Sequence, residues 1–288
     1  MNYSESLIQS AEKNKSLVCF GMDPVLEKLP FKTDSIEQDI VKFYSEIFQS
    51  FKDHEIFPAC VKPNYAFFAQ YGFPGLHALE KVITLAHELY FPVILDVKRG
   101  DIGSTAKAYV KECFDFWKAD AVTLSPFMGY DSVQPFIERA EKDGKGLYIL
   151  NRTSNAGAQD FQTQVIANNG FLFERIAQKV LDWGKNCKGN LGVVIGATSL
   201  QELENLSLFY SSAEVKPVPF LIPGVGTQGG SAKEVLQVLT NSRIDLRFVR
   251  INSSSELNYA WQKQNNPEEF ALASMRALEK LNQEIDFK

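Results

Sequence analysis

This chain of 288 residues contains few histidines and no closely spaced pair of cysteines, which limits the catalytic and metal sites that it can form. The three histidines fall in or beside predicted helices, away from the strand ends: His54, His77 and His87. This placement argues against histidine-based triads and zinc sites. The four cysteines form no Cys-x-x-Cys pair, so we expect buried, reduced thiols at Cys19, Cys60, Cys113 and Cys187.

Excess positive charge and long apolar runs are also lacking. The net charge is −5, and the absence of a dense lysine and arginine cluster argues against a general nucleic-acid-binding protein. No stretch approaches the roughly 20 apolar residues of a membrane-spanning helix, and residues 1–10 lack the apolar run of a secretory signal. We therefore expect a cytoplasmic protein whose partner is neither nucleic acid nor membrane. An anionic substrate would need a local anion site.

The chain does contain a regular alternation of short apolar runs and helical patterns. The apolar runs predict strands at residues 17–22, 56–61, 91–95, 121–124, 146–150, 191–195, 218–222 and 246–251. Helices are predicted at about residues 35–51, 75–90, 104–117, 131–142, 170–187, 200–210, 231–239 and 267–282. Eight strands alternating with helices predict an α/β fold, a (β/α)₈ TIM barrel. No linker divides the sequence, so we expect residues 1–288 to form a single domain.

Polar side chains collect just after the predicted strands. They are Asp23, Lys62, Asn64, Asp96, Lys98, Ser125, Thr153, Ser154, Gln228, Asn252, Ser253 and Ser254. Each one alone could be a turn residue or a helix cap. In a barrel, however, the carboxyl ends of all strands open on one face, and active sites are built there. The sequence therefore predicts a site at this face.

The third predicted strand ends in the most highly charged segment of this set. Four charged residues occur within six positions: Asp96, Lys98, Arg99 and Asp101. Since side chains alternate along a strand, Asp96 and Lys98 should share one face. Gly100 allows a sharp turn that can bring Asp101 back towards them. A solvated salt bridge at a strand end is the alternative interpretation, and no role is evident for Arg99.

Residues 224–229 fit the pattern Gly-x-Gly-x-x-Gly after the seventh predicted strand. A dinucleotide site would need an acidic residue about 20 positions later, where Val249 and Arg250 stand. A phosphate cradle formed by the seventh and eighth loops of a barrel fits better. No Gly-x-x-x-x-Gly-Lys-Ser/Thr loop occurs, which argues against an ordinary ATPase.

Residues 96–105 read Asp-Val-Lys-Arg-Gly-Asp-Ile-Gly-Ser-Thr, and they resemble the Asp-x-Lys-x-x-Asp-Ile-Gly-x-Thr signature of the orotidine 5′-phosphate decarboxylase family. Further matches follow in the family's order: Asp23-Pro24, Lys62-Pro63-Asn64, Thr153-Ser154-Asn155, Pro223-Gly224-Val225-Gly226 and Gln228. The resemblance covers about residues 17–259 and is greatest to the longer bacterial and protozoan branch.

This resemblance implies decarboxylation of orotidine 5′-phosphate to UMP in pyrimidine biosynthesis, with neither metal nor cofactor. Lys98 would protonate C6 of the pyrimidine, Asp96 would lie near the substrate carboxylate, and Lys62 would hold the charge network. Asp101 and Thr105 would act across the interface of a homodimer. Asp23 would bind the ribose. The other implied substrate-binding residues are Asn64, Ser125, Thr153, Ser154, Pro223, Gly224, Gln228, Ser254 and Ser255.

One position departs from the family pattern. The family has an arginine in a run Asn-x-x-Arg, and here Asn252 is followed at that distance by Ser255. We therefore expect a weaker phosphate grip. Candidate substitutes are Arg250, the Ser255 hydroxyl and backbone N–H groups near Ser254. Two alternative functions remain: a Mg²⁺-dependent decarboxylase or aldolase of sugar phosphates from the same superfamily, and a non-catalytic nucleotide-binding barrel.

Overall fold

The computed structural model describes residues 1–167, 170–188, 190–214, 217–225, 230–263 and 265–287. Ten strands are present in this part of the chain: β1 (Val18–Met22), β2 (Cys60–Pro63), β3 (Ile94–Arg99), β4 (Ala121–Leu124), β5 (Gly146–Arg152), β6 (Val165–Ile166), β7 (Gly170–Phe171), β8 (Leu191–Ile195), β9 (Phe220–Ile222) and β10 (Val249–Ser253). Eight of them form one parallel sheet in the order β2-β1-β10-β9-β8-β5-β4-β3. Two bridges between the β2 and β3 segments, Val61 with Val93 and Asn64 with Asp96, close the ring. The predicted (β/α)₈ barrel is confirmed.

Helices surround the barrel. They are α1 (Tyr3–Asn14), α2 (Ile36–His54), α3 (Tyr65–Ala69), α4 (Gly72–Glu88), α5 (Gly103–Lys111), α6 (Tyr130–Asp143), α7 (Leu172–Gly184), α8 (Leu200–Ser212), α9 (Ala232–Asn241), α10 (Ser255–Asn258) and α11 (Phe270–Ile285). Side-chain caps start several of them, as where Ser35 accepts a hydrogen bond from the Gln38 N–H. Within the described ranges, no helix is long and apolar enough to cross a membrane.

The structure corrects three predicted strands. β2, β3 and β10 begin three to four residues later than the apolar runs suggest, at residues 60, 94 and 249. Pro58 and Pro92 precede the first two, and proline cannot donate a ladder hydrogen bond. Residues 246–248 form a 3₁₀ turn, where the Asp245 side chain accepts the Arg247 N–H. The true strands therefore run on through polar residues that the sequence had placed beyond them.

Helix α1, which the sequence analysis did not predict, closes the amino-terminal end of the barrel. Tyr3 and Leu7 are buried there with residues from the beginnings of the strands, including Cys19 and Cys60. The Tyr3 hydroxyl lies 3.0 Å from that of Tyr148 on β5. All four cysteines are buried free thiols, as predicted. The polar residues lie at the opposite end of the barrel, where the strands finish.

The loop after β5 contains more structure than predicted. A 3₁₀ turn spans Ala156–Asp160, and β6 pairs with β7 as a short antiparallel hairpin. Residues 168 and 169, which precede the helix predicted from about residue 170, lie outside the described residues.

Candidate active site

A carboxylate held between two lysines forms the centre of the candidate site. Asp96 Oδ2 lies 2.8 Å from Lys62 Nζ, and Asp96 Oδ1 lies 2.6 Å from Lys98 Nζ. The side chains of Lys62 and Asp96 are only 6% and 8% exposed, whereas that of Lys98 is 50% exposed. The prediction that Asp96 and Lys98 share a face is confirmed. A buried ion pair thus holds a second lysine at the open end of the barrel.

An irregularity in β3 places Lys98 at this position. The β3–β4 register shifts between Leu95 and Arg99, and Lys98 has a φ of 45°, which is rare for a residue other than glycine. The Val97 and Lys98 N–H groups both donate to the hydroxyl of Thr123 on β4, at 3.1 and 3.0 Å. That hydroxyl in turn donates to Asp96 Oδ1 at 2.9 Å. Thr123 therefore connects the bulged backbone to the charged group.

Thr123 was not among the residues predicted for the site, although its sequence position carries a signal. Thr123 is two residues before Ser125, so the two share a face of the strand. It is a polar residue within an apolar strand, and it is 1% exposed. A buried hydroxyl needs a hydrogen-bond partner, and alternation placed that partner on the same side as the predicted site.

Burial and charge compete in setting the pKa values of the ion pair. Burial alone would raise the pKa of Asp96, but the charges of Lys62 and Lys98 outweigh it and hold this pKa well below its usual value. Burial would lower the pKa of Lys62, but the Asp96 and Asp23 carboxylates hold it above the usual lysine value. Both groups are therefore charged at neutral pH, and Asp23 is close enough to act on Lys62.

A cavity of about 300 Å³ lies at the ends of the strands. The candidate residues that line it are Asp23, Ser154, Pro223, Gly224, Asn252, Ser253, Ser254 and Ser255. Asp23 Oδ1 is buried and has no hydrogen-bond partner among the residues that the structure describes. An unpaired buried carboxylate oxygen is available to accept a ligand hydroxyl. The structure thus brings together eight of the residues named from the sequence around one space.

Two side chains after β10 fix the shape of this cavity. The Tyr259 hydroxyl donates to the Asp23 carbonyl and accepts the Val25 N–H, both at 2.8 Å. Asn258 Nδ2 donates to the Gly21 carbonyl at 2.6 Å. A Cβ on Gly21 would lie 1.9 Å from Ser254 Oγ, so only glycine permits this close approach. Tyr259 and Asn258 could not be predicted from the sequence, because their contacts join distant parts of the chain.

Asn64, Ser125 and Thr153 directly follow the ends of β2, β4 and β5. Asn64 forms a backbone bridge with Asp96, and the Ser125 N–H donates to the Arg99 carbonyl at 2.8 Å. The Thr153 hydroxyl accepts from Gln162 Nε2 at 2.8 Å. These residues are half-buried around the open end of the barrel, as the sequence analysis predicted.

In the part of the chain that the structure describes, Asp101 and Thr105 are not joined to the charge network. The Asp101 carboxylate accepts the Ile102 N–H at 2.8 Å, and Thr105 is exposed on α5. Within the described ranges, no ion pair connects Asp101 to Lys98. Gln228 lies outside the described residues.

Arg250 does not belong to this site. It is fully buried at the opposite end of the barrel, where its guanidinium donates to the Leu7 carbonyl and to Ser10. Because β10 begins at Val249, Arg250 points into the amino-terminal end of the barrel. The suggestion that Arg250 replaces the missing phosphate-binding arginine is therefore wrong.

Arg99 has a structural role. Its guanidinium makes two hydrogen bonds to Glu112, at 3.0 and 2.6 Å. It also lies 4.8 Å from the ring centroid of Tyr65 and 4.6 Å from that of Tyr109. Paired and stacked in this way, Arg99 fastens the end of β3 to the helix that follows.

Known proteins resemble this chain over nearly its whole length. Residues 18–251 match the model of the orotidine 5′-phosphate decarboxylase / HUMPS family. The orotidine 5′-phosphate decarboxylase of Herpetosiphon aurantiacus is 41% identical over 87% of each chain, and that of Natronomonas pharaonis is 35% identical over 99% of each. The structure of Leishmania donovani OMP decarboxylase superposes with a TM-score of 0.75 at 32% identity, with both chains fully covered. The match of sequence, barrel and strand-end residues shows that this chain belongs to the orotidine 5′-phosphate decarboxylase / HUMPS family.

Proposed function

We propose that this protein decarboxylates orotidine 5′-phosphate to UMP and CO₂ without a cofactor. The observation that carries the proposal is the position of Asp96, held by Lys62 and Lys98 beside a cavity lined by Asp23, whose Oδ1 has no hydrogen-bond partner among the described residues. Family membership supplies the substrate class. The alternative of a sugar-phosphate enzyme that needs Mg²⁺ makes an opposite prediction about chelators.

Decarboxylation requires charged side chains that are already in position before the substrate reacts. When the bond between C6 and the carboxylate breaks, the electron pair stays on C6, and nothing in the substrate delocalises it well. Asp96 next to the substrate carboxylate places two like charges close together. Two unit charges 4 Å apart repel by about 4 kcal/mol at an effective dielectric near 20. That repulsion is relieved as CO₂ leaves, so it favours the transition state over the bound substrate.

Lys98 completes the reaction. Its ammonium is half exposed at the open end of the barrel and 2.6 Å from Asp96, so a positive charge faces the carbon that becomes negative. The ammonium then gives a proton to C6, and solvent restores that proton. Lys62 is buried and keeps Asp96 ionised rather than meeting the substrate itself.

The surrounding residues bind the rest of the nucleotide. In this proposal the free Oδ1 of Asp23 accepts a ribose hydroxyl, and Asn64 lies beside it. Ser125 and Pro223 contact the base. The phosphate lies against the loops after β9 and β10, with contributions from Thr153, Ser154, Gly224, Gln228, Ser254 and Ser255. Distant phosphate contacts of this kind help to hold the reacting carbon in place.

We also propose a homodimer in which Asp101 and Thr105 serve the site of the partner subunit. Both residues lie on the surface near the start of α5. Large apolar side chains are exposed in the same segment, at Ile102 (47%), and after the neighbouring strand β4, at Phe127 (84%) and Met128 (47%). Apolar surface next to an incomplete site favours cover by a second copy of the chain.

A complementation experiment tests this arrangement. The Lys98→Ala and Asp101→Ala variants are each expected to be inactive as homodimers. Mixing them under conditions of subunit exchange should restore about a quarter of wild-type activity, because half of the dimers then carry one intact site. Native mass spectrometry verifies that heterodimers form. Heterodimers without activity would show that Asp101 acts within its own subunit.

Removal of the Thr123 hydroxyl is expected to disturb the charge network without touching substrate. The Thr123→Val variant should lower kcat by about 10- to 100-fold, because misplacing a catalytic group by about 1 Å costs that much, and KM should change little. The free energy of unfolding should fall by about 1–3 kcal/mol, since two partly buried N–H groups and the buried Asp96 carboxylate lose a hydrogen bond. Thr123→Ser keeps the hydroxyl and should restore kcat. A less stable Thr123→Val enzyme with wild-type kcat would make this role purely structural.

Because position 255 lacks the arginine of the family, introducing one there is expected to strengthen substrate binding. Ser255 is exposed, lines the cavity and stands where the family has arginine. Ser255→Arg should lower KM by about tenfold or more, the usual gain from a hydrogen bond to a charged group. Ser255→Gln adds bulk without charge and serves as the control. An unchanged kcat/KM in Ser255→Arg would show that the phosphate grip is already complete.

The proposed function is tested by adding orotidine 5′-phosphate to the protein in EDTA and following the loss of substrate absorbance. The expected result is full turnover that added Mg²⁺ does not increase. Turnover that EDTA abolishes would favour the Mg²⁺-dependent alternative. Binding of UMP without turnover would favour a non-catalytic barrel.

A further inference from the structure

The cavity at the strand ends has an unusual balance of charge for a phosphate site. Its charged lining residues, among those that the structure describes, are Asp23, Glu256 and Lys28. Residues 226–229, which follow Val225 in the sequence, are Gly-Thr-Gln-Gly and carry no charge. One cation therefore faces two carboxylates in a space that would have to accept a phosphate.

Lys28 is placed to reach into this space. It ends the 3₁₀ turn Leu26–Lys28, which follows β1. Its Nζ lies 5.4 Å from the ring centroid of Tyr259, which also lines the cavity. Within the described part of the chain, Lys28 makes no ion pair with a carboxylate, so its ammonium is free to meet a ligand.

Two hydrogen bonds anchor the backbone before Lys28 and so fix the point from which its side chain extends. The Val25 N–H donates to the Tyr259 hydroxyl at 2.8 Å, and the Leu26 N–H donates to the Tyr71 hydroxyl at 3.1 Å. Tyr259 follows directly after α10, which begins at Ser255. The segment that carries Lys28 is therefore tied to the loop that lacks the family's arginine.

We infer that Lys28 supplies the cationic contact to the substrate phosphate, from the loop after β1 rather than from the loop after β10. The inference rests on the proposed function for the nature of the ligand. A phosphate dianion in this cavity meets Glu256 as a like charge, and without Lys28 the described lining would be purely acidic. Lys28 offsets that repulsion and donates a charge-assisted hydrogen bond.

Other basic residues are less well placed. The Lys98 ammonium is engaged by Asp96 at 2.6 Å, and Arg250 is buried at the far end of the barrel. Lys263 lines a separate neighbouring cavity of about 500 Å³, together with Lys280 and two further glutamates, Glu234 and Glu284. Lys263 is thus the natural comparison for Lys28, since both lie near the loop after β10.

The test compares binding of UMP and of uridine, which differ only in the phosphate, by calorimetry. Lys28→Met keeps the apolar stem and should raise the Kd of UMP by about tenfold or more while leaving that of uridine unchanged. Lys28→Arg should restore UMP binding, and Lys263→Met should bind both ligands like wild type. Equal UMP affinity in Lys28→Met and wild type, or a loss in Lys263→Met instead, would overturn the inference.

Replacement of Glu256 is expected to change the affinity for UMP in the opposite direction. Glu256→Gln removes the like charge and should tighten UMP binding several-fold without changing uridine binding. If Glu256→Gln weakened UMP binding, Glu256 would be a phosphate partner and the charge balance proposed for Lys28 would be wrong. Because these measurements need no turnover, they separate the two proposals. A wild-type protein that binds UMP through Lys28 but does not decarboxylate would contradict only the catalytic function.

Discussion

Replacement of Lys98 by alanine is expected to lower kcat by about 10⁴-fold, the upper range for loss of a general acid. The variant removes the proton donor and the positive charge that faces C6. Binding of UMP should change by only a few-fold, because in the proposed complex Lys98 meets the reacting carbon rather than the ribose or phosphate. Stopped-flow absorbance with substrate in excess gives kcat, and calorimetry gives the affinity for UMP.

Two further variants separate proton transfer from charge. Lys98→Arg keeps a positive charge, but a guanidinium with a pKa above about 12 is a poor proton donor. It should therefore remain nearly inactive. Lys107→Ala changes another exposed lysine on the adjoining helix α5 and should behave like wild type. If Lys98→Arg kept most of the activity, protonation by Lys98 would be wrong, although an electrostatic role would survive.

The second large effect is expected at Asp96 and concerns stability as well as activity. Asp96→Asn leaves the Lys62 ammonium, which is buried, without its carboxylate. Breaking a buried ion pair from one side costs about 3–5 kcal/mol, so urea denaturation should show a loss of that size. Catalysis should be lost too, because the amide cannot repel the substrate carboxylate. Asp101→Asn, at a partly exposed carboxylate, should leave the free energy of unfolding unchanged.

A double variant gives a sharper test. Lys62→Met together with Asp96→Asn removes both buried charges. The double variant should therefore be no less stable than the Asp96→Asn single variant. The losses of unfolding free energy caused by Lys62→Met and by Asp96→Asn would then be strongly non-additive. Fully additive losses would show that the residues contribute independently and that the ion pair is not the source of the stability.

The same ion pair predicts a pH dependence of stability. The folded-state pKa of Asp96 is depressed, so its contribution is present above the unfolded value near 4 and is lost as the pH falls towards the folded pKa. The folded-state pKa of Lys62 is raised, so its contribution is present below about 10 and is lost as the pH rises towards the folded pKa. The stability difference between wild type and Asp96→Asn should therefore be flat between about pH 5 and 9 and should shrink below about pH 4. A difference that grew on acidification would contradict the assigned charges.

The sequence predicted the barrel and the face on which the candidate residues lie for the same physical reason. Parallel strands put their carboxyl ends on one face, so polar residues that follow apolar runs must converge there. Asp96 and Lys98 were placed on a shared face by alternation alone, and the structure confirms it. What alternation could not supply is the register shift in β3, since it depends on the hydroxyl of Thr123 in the next strand.

Arg250 shows how a small error in strand position changes an interpretation. The apolar run at residues 246–251 placed Arg250 near the end of a strand and hence near the phosphate. The strand begins at Val249, so Arg250 lies at its start and faces the closed end of the barrel. Lys28 and Tyr259 escaped notice for a related reason, because they meet only when the loops after β1 and β10 pack together.

The most direct test of the account is the reaction of orotidine 5′-phosphate in D₂O containing EDTA, with the product examined by proton NMR. If the Lys98 ammonium, exchanged to deuterium by solvent, quenches the carbanion, UMP should carry deuterium at C6 and hydrogen at C5. The Lys98→Ala protein should form no UMP on the same timescale. Absence of turnover in the wild-type protein, or equal turnover in Lys98→Ala, would contradict cofactor-free decarboxylation by this charge network.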